Sequence, residues 1–173
     1  SFLGANQKSI SKLNIPSDFY EKYFLSSNNY ASYVLSYQNH VQKDIYQGID
    51  VLFYTNQDKL KYDFYIKPNA DPKQIKIKYE GVQRIEIIEG ALHYETTLNK
   101  IKEHRPVAYQ IIADKKIDVP CFYKLKNKVI TFDFPQGYNR NYELVIDPIL
   151  EFSTYSGSTA DNFGYTATYD SYG

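Results

Sequence analysis

The chain has few of the residues that fix redox chemistry or favour helices. Its single cysteine, Cys121, excludes a disulfide within the chain. Methionine is absent and alanine is infrequent, so two residue types that favour α-helix contribute little. No apolar run is long enough to span a bilayer, and we expect no membrane insertion. These absences exclude a disulfide-bridged scaffold and favour β structure.

Neither sign of charge dominates the composition. Lys plus Arg and Asp plus Glu amount to 20 residues each, which argues against a dedicated surface for nucleic acid or for anionic membranes. The distribution is uneven, because positions 140–173 hold one basic and five acidic residues, a net charge of −4 (1 − 5), which leaves +4 on positions 1–139. This shift is compatible with a domain boundary near Pro148.

Aromatic residues are abundant. There are 19 Tyr and 10 Phe, and both residue types favour strands. From position 30 onward, short segments separated by turn residues predict an all-β fold, an antiparallel β-sandwich or a related antiparallel architecture. Positions 1–29 are less regular, and Ser17-Asp18 either cap a short helical turn or lie in an extended loop. Outside the hairpin discussed next, the predicted strands are Tyr30–Tyr37, Val41–Tyr46, Ile75–Tyr79, Val82–Ile88, Ala91–Thr96, Ile101–His104 continuing into Arg105–Gln110, Cys121–Lys126, Val129–Phe134 and Tyr142–Ile146.

The clearest element is a hairpin between Tyr46 and Pro72. Two alternating segments, GIDVLFYT and KLKYDFYI, are joined by a polar turn at positions 56–58 and followed by a cluster of turn formers. This period of two, with a short connection, predicts a half-buried antiparallel pair. In the second strand one face carries Leu60, Tyr62, Phe64 and Ile66, and the other carries Lys61, Asp63 and Tyr65.

The same stretch resembles a known family. It follows the pattern Y-x-G-I-D-L-x-F-Y…L-E-Y-D-F-x-V-x-P-G-A-D-P of an uncharacterised β-rich, DUF7948-like domain, with Lys61 in place of Glu and Asn69 in place of Gly. The opening F-L-G-A-N, R-P-V-A-Y-Q at 105–110 and L-V-I-D-P at 144–148 are similar to further parts of that family. The matching residues include Tyr46, Gly48, Ile49, Asp50, Phe53, Tyr54, Leu60, Tyr62, Asp63, Phe64, Pro68, Ala70, Asp71, Pro72, Asp147 and Pro148.

The resemblance implies a domain that precedes SBBP β-propeller repeats in large secreted proteins of Bacteroidota, commonly exported by the type IX system. It divides the chain into a β-rich domain over 1–148 and the first part of one repeat over 149–173. Because the family's F-x-G-A-N lies well inside the domain, we expect its first strands to precede Ser1, and we expect the chain to be a piece of a longer protein. The tail is expected to pack as an extra strand or to be partly mobile.

Signals for catalysis are weak. The histidines lack the close spacing of a zinc site, and no nucleophile, phosphate-loop or dinucleotide motif occurs. Cys121 is expected to be a small buried side chain. His104 lies between Glu103 and Arg105, where a solvated charge cluster is preferred over a catalytic base. We therefore predict no catalytic residue. The three histidines are His40, His93 and His104.

Several acidic residues allow two interpretations. Asp44, Asp50 and Asp63 would serve as a glycosidase pair only if the fold sets two of them at the required separation. For Asp50 and Asp63 a structural role at turns or backbone amides is preferred over a ligand contact. Asp161 and Asn162 offer oxygen ligands to Ca²⁺, but two residues fall short of a coordination shell, and a turn is preferred. The sequence predicts no other cofactor.

The tyrosines divide between the core and a candidate surface. Many alternate with aliphatic residues and are expected in the core. Others would suit an exposed platform that stacks on sugars or contacts proteins. The candidates for this platform are Tyr30, Tyr33, Tyr37, Tyr138 and Tyr142.

The resemblance and the weak catalytic signals together predict a non-catalytic structural or adhesion module. We expect it to be secreted or displayed on the outer cell surface, where it would scaffold a multidomain protein with roles in adhesion or gliding. Expected partners are other domains of the same polypeptide and cell-surface proteins or glycans, and not nucleic acid. The alternative is a carbohydrate-binding module of a polysaccharide-targeting secreted protein. An enzyme ranks third, because it would need a cleft with converging carboxylates.

Overall fold

The chain folds into antiparallel β-sheets. The computed structural model describes residues 1–26, 29–56, 59–97, 100–148 and 150–153. These residues form fourteen strands and one 3₁₀ turn at Pro72–Gln74 without any α-helix, which confirms the all-β, antiparallel prediction. None of the described segments is a helix that would be long and apolar enough to cross a membrane. The strands are β1 (Ile10–Ser26), β2 (Asn29–Tyr46), β3 (Ile49–Asn56), β4 (Lys59–Ile66), β5 (Ile77–Lys78), β6 (Arg84–Ile88), β7 (Ala91–Glu95), β8 (Lys100–Glu103), β9 (Val107–Ile112), β10 (Lys115–Val119), β11 (Phe122–Lys126), β12 (Val129–Asp133), β13 (Leu144–Asp147) and β14 (Leu150–Ser153).

The predicted hairpin forms the centre of the largest sheet. This sheet has seven strands in the order β1-β2-β3-β4-β13-β9-β10. In the hairpin Ile49 lies opposite Ile66 and Asn56 lies opposite Lys59, as the alternation predicts. Val51, Phe64 and Ile66 are buried on the core side. The hairpin therefore carries the central part of the hydrophobic core.

Two smaller sheets complete that core. One has the order β11-β12-β5 and the other β14-β8-β7-β6. Side chains from all three sheets belong to one buried cluster, which includes Phe64, Phe132 and Leu92. The rings of Phe64 and Phe132 meet edge to face with their centroids 5.9 Å apart, a geometry that aromatic pairs prefer.

Three of the two-residue turns between neighbouring strands share one geometry. Both central residues have positive φ in the turns at 89–90, 113–114 and 127–128, the type I′ geometry that matches the twist of antiparallel strands. The first and third of these turns were predicted. The second, Ala113-Asp114, leads into β10, which was not predicted.

The N-terminal region differs most from expectation. Positions 10–26 form the long strand β1, and neither a helical turn nor a loop at Ser17-Asp18. The two strands predicted at 30–37 and 41–46 are one continuous strand, β2. A register shift between Gln42 and Tyr46, where Asp44 adopts φ 51°, absorbs the irregularity within that strand.

The last two strands of the described chain belong to different sheets. β13 lies between β4 and β9 in the seven-stranded sheet. After the buried Pro148, the chain crosses to the four-stranded sheet, where β14 pairs with β8. The beginning of the segment that resembles a repeat is thus hydrogen-bonded to the domain. Residues 154–173 lie outside the described part.

Candidate functional site

Polar and aromatic side chains collect on one side of the seven-stranded sheet. We call the outward face the side that carries Asp50, Tyr54, Asp63, Tyr65, Tyr109 and Asp147. Strand register brings these residues together. Tyr65 lies opposite Asp50 on β3 and opposite Val145 on β13, and Val145 lies opposite Tyr109 on β9. Ile146 lies opposite Phe64, so the next residue, Asp147, is beside Asp63.

Asp63 and Asp147 form a close pair of carboxyl groups. Asp63 is 8% exposed, and its Oδ1 accepts a hydrogen bond of 3.3 Å from the Tyr54 hydroxyl. Oδ1 of Asp147 is buried and meets no hydrogen-bond donor among the described residues. Burial and the neighbouring charge of Asp147 raise the pKa of Asp63 to about 6, against the hydrogen bond from Tyr54 and the charge of Lys61. The folded chain therefore holds a proton on Asp63 more tightly than an exposed aspartate would.

Asp50 lies on the same face in the opposite electrostatic setting. Its Oδ2 is 2.8 Å from Lys43 Nζ, and its Oδ1 accepts from the Asp44 backbone N–H at 2.8 Å. Lys67 Nζ is 3.4 Å from Asp50 and 2.8 Å from Asp44. Burial acts to raise the pKa of Asp50, but the hydrogen bonds from Lys43 and Asp44 and the two lysine charges lower it below its ordinary value.

Glu103 is a polar residue of the core, and the prediction of a solvated charge cluster was wrong for it. Its side chain is fully buried. Oε1 accepts from the hydroxyls of Tyr62 at 2.7 Å and Tyr123 at 2.8 Å, and Oε2 accepts from Tyr79 at 2.7 Å. Burial raises the pKa of Glu103 against these three hydrogen bonds. The alternation in β8 carried the missed signal, since Glu103 shares a strand face with Ile101.

These groups suit binding and structure more directly than acid–base chemistry. Asp44 and Asp50 are both held by Lys67, whereas Asp63 is paired with Asp147. A general acid must reach a bound substrate, and Glu103 is enclosed by tyrosines. Cys121 is buried as predicted, and burial raises the pKa of its thiol to about 12, so it is not a reactive thiolate. Among the described residues, no three His, Cys, Asp or Glu side chains form a metal-ligand group.

Comparison with protein families identifies the domain. Residues 1–149 match the family described as domain of unknown function (DUF7948). The chain belongs to the DUF7948 family. No match was found among curated proteins or among solved structures.

The DUF7948 motif residues build a pair of touching turns. Gly48 adopts φ +73°, and a Cβ on it would lie 2.9 Å from Cβ of Ala70, so a larger residue would strain both the backbone and the contact. Asp71 accepts from the Lys73 backbone N–H at 3.0 Å, and Pro72 opens the 3₁₀ turn. A cleft of about 440 Å³ lies between these turns. Its lining polar groups Asp71, Gln74 and Lys67 already bond to protein atoms.

The candidate tyrosines of this DUF7948 domain lie on separate elements. Tyr37 on β2 and Tyr142 before β13 are 38% and 41% exposed. Tyr138 is half-buried against Phe134, with ring centroids 5.4 Å apart. Tyr30 and Tyr33 belong to β2, but their side chains lie outside the described part, as do Asp161 and Asn162, the candidate Ca²⁺ ligands. Tyr54, Tyr65 and Tyr109 of the outward face were not among the predicted tyrosines.

Proposed function

We propose that this chain is a non-catalytic structural and adhesion module of a larger extracellular protein. The observation that carries the proposal is the pairing of β14 with β8. Through it, the segment that follows the family match joins a sheet of the domain as an edge strand. Pairing with β14 satisfies backbone amides of β8 that would otherwise lie unpaired at an edge.

The proposal extends to the wider architecture. The shared core of the three sheets supports a sandwich-like arrangement. The resemblance of positions 149–173 to an SBBP repeat supports a propeller that follows the domain. The same resemblance supports secretion by a member of the Bacteroidota, display at the outer cell surface, and partners among other domains and cell-surface proteins or glycans.

Two truncations test whether the following segment is coupled to the domain. Removing residues 149–173 deletes β14 and uncovers β8, and should lower the melting temperature by about 5 °C and promote aggregation. Removing residues 154–173 leaves β14 in place and serves as the matched control, which should melt close to the full chain. If both truncated chains melt together with the full chain and stay monomeric, the coupling is absent.

A second function is supported by a shallow depression on the outward face. It has a volume of about 210 Å³ and is lined by Val41, Lys43, Asp50, Leu52, Tyr65 and Glu143. An aromatic ring beside carboxylates and an ammonium group offers stacking and hydrogen bonds to a sugar ring. A carbohydrate-binding module is therefore the alternative proposal.

A glycan array with the full chain, in calcium and in chelator, tests the alternative. We expect the Tyr65→Ala variant to lose binding, because Tyr65 supplies the ring of the depression. Tyr142→Ala removes an exposed tyrosine that does not line the depression and should leave binding unchanged. Absence of binding to every glycan in both conditions would remove this function and leave the structural proposal in place.

A further inference from the structure

Two tyrosines of the outward face lie in one row that runs across the strands. Tyr65 on β4 lies opposite Val145 on β13, and Val145 lies opposite Tyr109 on β9. At the two ends of the row are Asp50 on β3 and Asp118 on β10. Because Tyr65 and Tyr109 are two strands apart, their backbones are separated by about 10 Å. Tyr65 lines the depression described above, and Tyr109 lies beyond it.

Both tyrosines present groups that a ligand can contact. Each side chain is half-buried, and none of the described residues forms a hydrogen bond with either hydroxyl. In the core, by contrast, three tyrosine hydroxyls donate to Glu103. Nζ of Lys116 lies 4.1 Å from the centroid of the Tyr109 ring, so a surface group reaches the face of this ring. Since Lys116 is exposed, a ligand can take its place over the ring.

The charged groups at the ends of the row are of both signs. At one end, Asp50 lies 2.8 Å from Nζ of Lys43. At the other end, Asp118 and Lys116 are two residues apart on β10 and therefore lie on the same face. Each end thus combines a carboxylate with an ammonium group and favours neither an anionic nor a cationic ligand. A neutral ligand rich in hydroxyl groups can donate to the carboxylates and accept from the ammonium groups.

We propose that Tyr65 and Tyr109 are two stacking positions of one site for a neutral, linear glycan with β-linked sugar units. The inference rests on the carbohydrate-binding alternative above, and adds to it the class of glycan and a second aromatic contact. In an extended β-linked chain, alternate units present the same face at a spacing close to that of the two tyrosines. One unit then stacks on each ring, and the unit between them lies over the smaller Val145.

Isothermal titration calorimetry with the full chain measures the length of the site. The probes are cello-, manno-, xylo- and chito-oligosaccharides of two to six units, and malto-oligosaccharides of the same lengths serve as curved, α-linked controls. At least one linear series should bind. Its Kd should fall about tenfold between two and four units, because two units cannot reach both rings. The malto-oligosaccharides should show no such gain with length.

Two variants assign the gain in affinity to the second ring. Tyr109→Val removes the ring but keeps a residue type that favours strands, and four units should then bind as weakly as two. Tyr65→Ala should abolish binding at every length. The matched control Ile111→Val changes an exposed residue on the same face of β9, and this variant should bind like the wild type.

The outcomes separate this inference from the function on which it rests. Affinity that does not depend on chain length, or a gain with length that persists in Tyr109→Val, overturns the second stacking position and leaves a carbohydrate site at Tyr65. Binding to other glycans on the array, but to none of the linear probes, overturns the class of glycan. Absence of binding to every glycan removes the carbohydrate function and this inference together.

Discussion

Asp50 and Asp63 are two buried carboxyl groups on one face of one hairpin, and their surroundings differ. The carboxylate of Asp50 lies 2.8 Å from Nζ of Lys43 and 3.4 Å from Nζ of Lys67. The carboxyl group of Asp63 lies beside that of Asp147 and accepts a hydrogen bond from the Tyr54 hydroxyl. Both side chains are less than a tenth exposed. Burial acts to raise the pKa of both carboxyl groups. The lysine charges beside Asp50 and the hydrogen bonds to it outweigh burial and lower its pKa, whereas the charge of Asp147 adds to burial and raises the pKa of Asp63.

Identical substitutions at the two positions should thus have opposite effects. The largest is expected for Asp63→Asn. Near pH 8 this change removes a buried negative charge beside Asp147 and supplies an amide that donates to it, and should raise the free energy of unfolding by about 2 kcal/mol. Urea denaturation measures the difference, with the exposed Asp118→Asn as the control. A destabilised Asp63→Asn variant would show that the negative charge of Asp63 is favourable where it lies.

The stability gained by Asp63→Asn should increase with pH. The pKa of Asp63 is raised from its ordinary value of 3.8 to about 6 in the folded chain, so the folded state holds the proton more tightly. The stability that this proton contributes is complete below about pH 4 and is lost as pH rises through about 6. Asp63→Asn should therefore differ little from the wild type near pH 4 and gain its full advantage near pH 8.

The second prediction concerns Asp50→Asn, which should destabilise the fold by about 1 kcal/mol near pH 7. The effect is modest because Lys43 and Lys67 are each 44% exposed and are hydrated without their partner. Since the pKa of Asp50 is lowered, its contribution is complete above about pH 4 and is lost as pH falls further. Urea denaturation at several pH values measures this contribution. An Asp50→Asn variant that is as stable as the wild type at pH 7 would contradict the prediction.

The smallest effect is expected for Tyr54→Phe. This change removes the hydroxyl that donates to Asp63 at 3.3 Å and should cost about 0.5 kcal/mol near pH 8. The same substitution in an Asp63→Asn background should cost less, because the hydroxyl no longer meets an ionised carboxylate. A double-mutant cycle measures this coupling, and additive effects would show that Tyr54 and Asp63 act independently.

The hairpin could be predicted from the sequence because its determinants are local. Alternation in Lys59–Ile66 and a short polar turn suffice to set strand, register and core face. The all-β class follows from the same reasoning repeated along the chain. Alternation does not show, however, which distant strand pairs with the hairpin. The burial of Asp63 depends on β13, which is contributed by residues some 80 positions away.

Other features escaped prediction for physical reasons. β10 has an exposed, charged sequence, and its turn uses Ala113 and Asp114 at positive φ without a glycine. β1 contains Pro16, which is tolerated because β1 is the edge strand of its sheet. Glu103 is buried because hydroxyls from three tyrosines converge on it from distant parts of the chain. Each case depends on tertiary neighbours that sequence spacing does not reveal.

The position of β13 has a consequence for when the domain can fold. This strand is contributed by residues 144–147, yet it lies between β4 and β9 in the middle of the seven-stranded sheet. During synthesis, the edges of β4 and β9 that pair with β13 stay unpaired until almost all of the domain has been synthesised. Such non-local pairing slows folding, and the seven-stranded sheet cannot be completed before residues 144–147 have been synthesised.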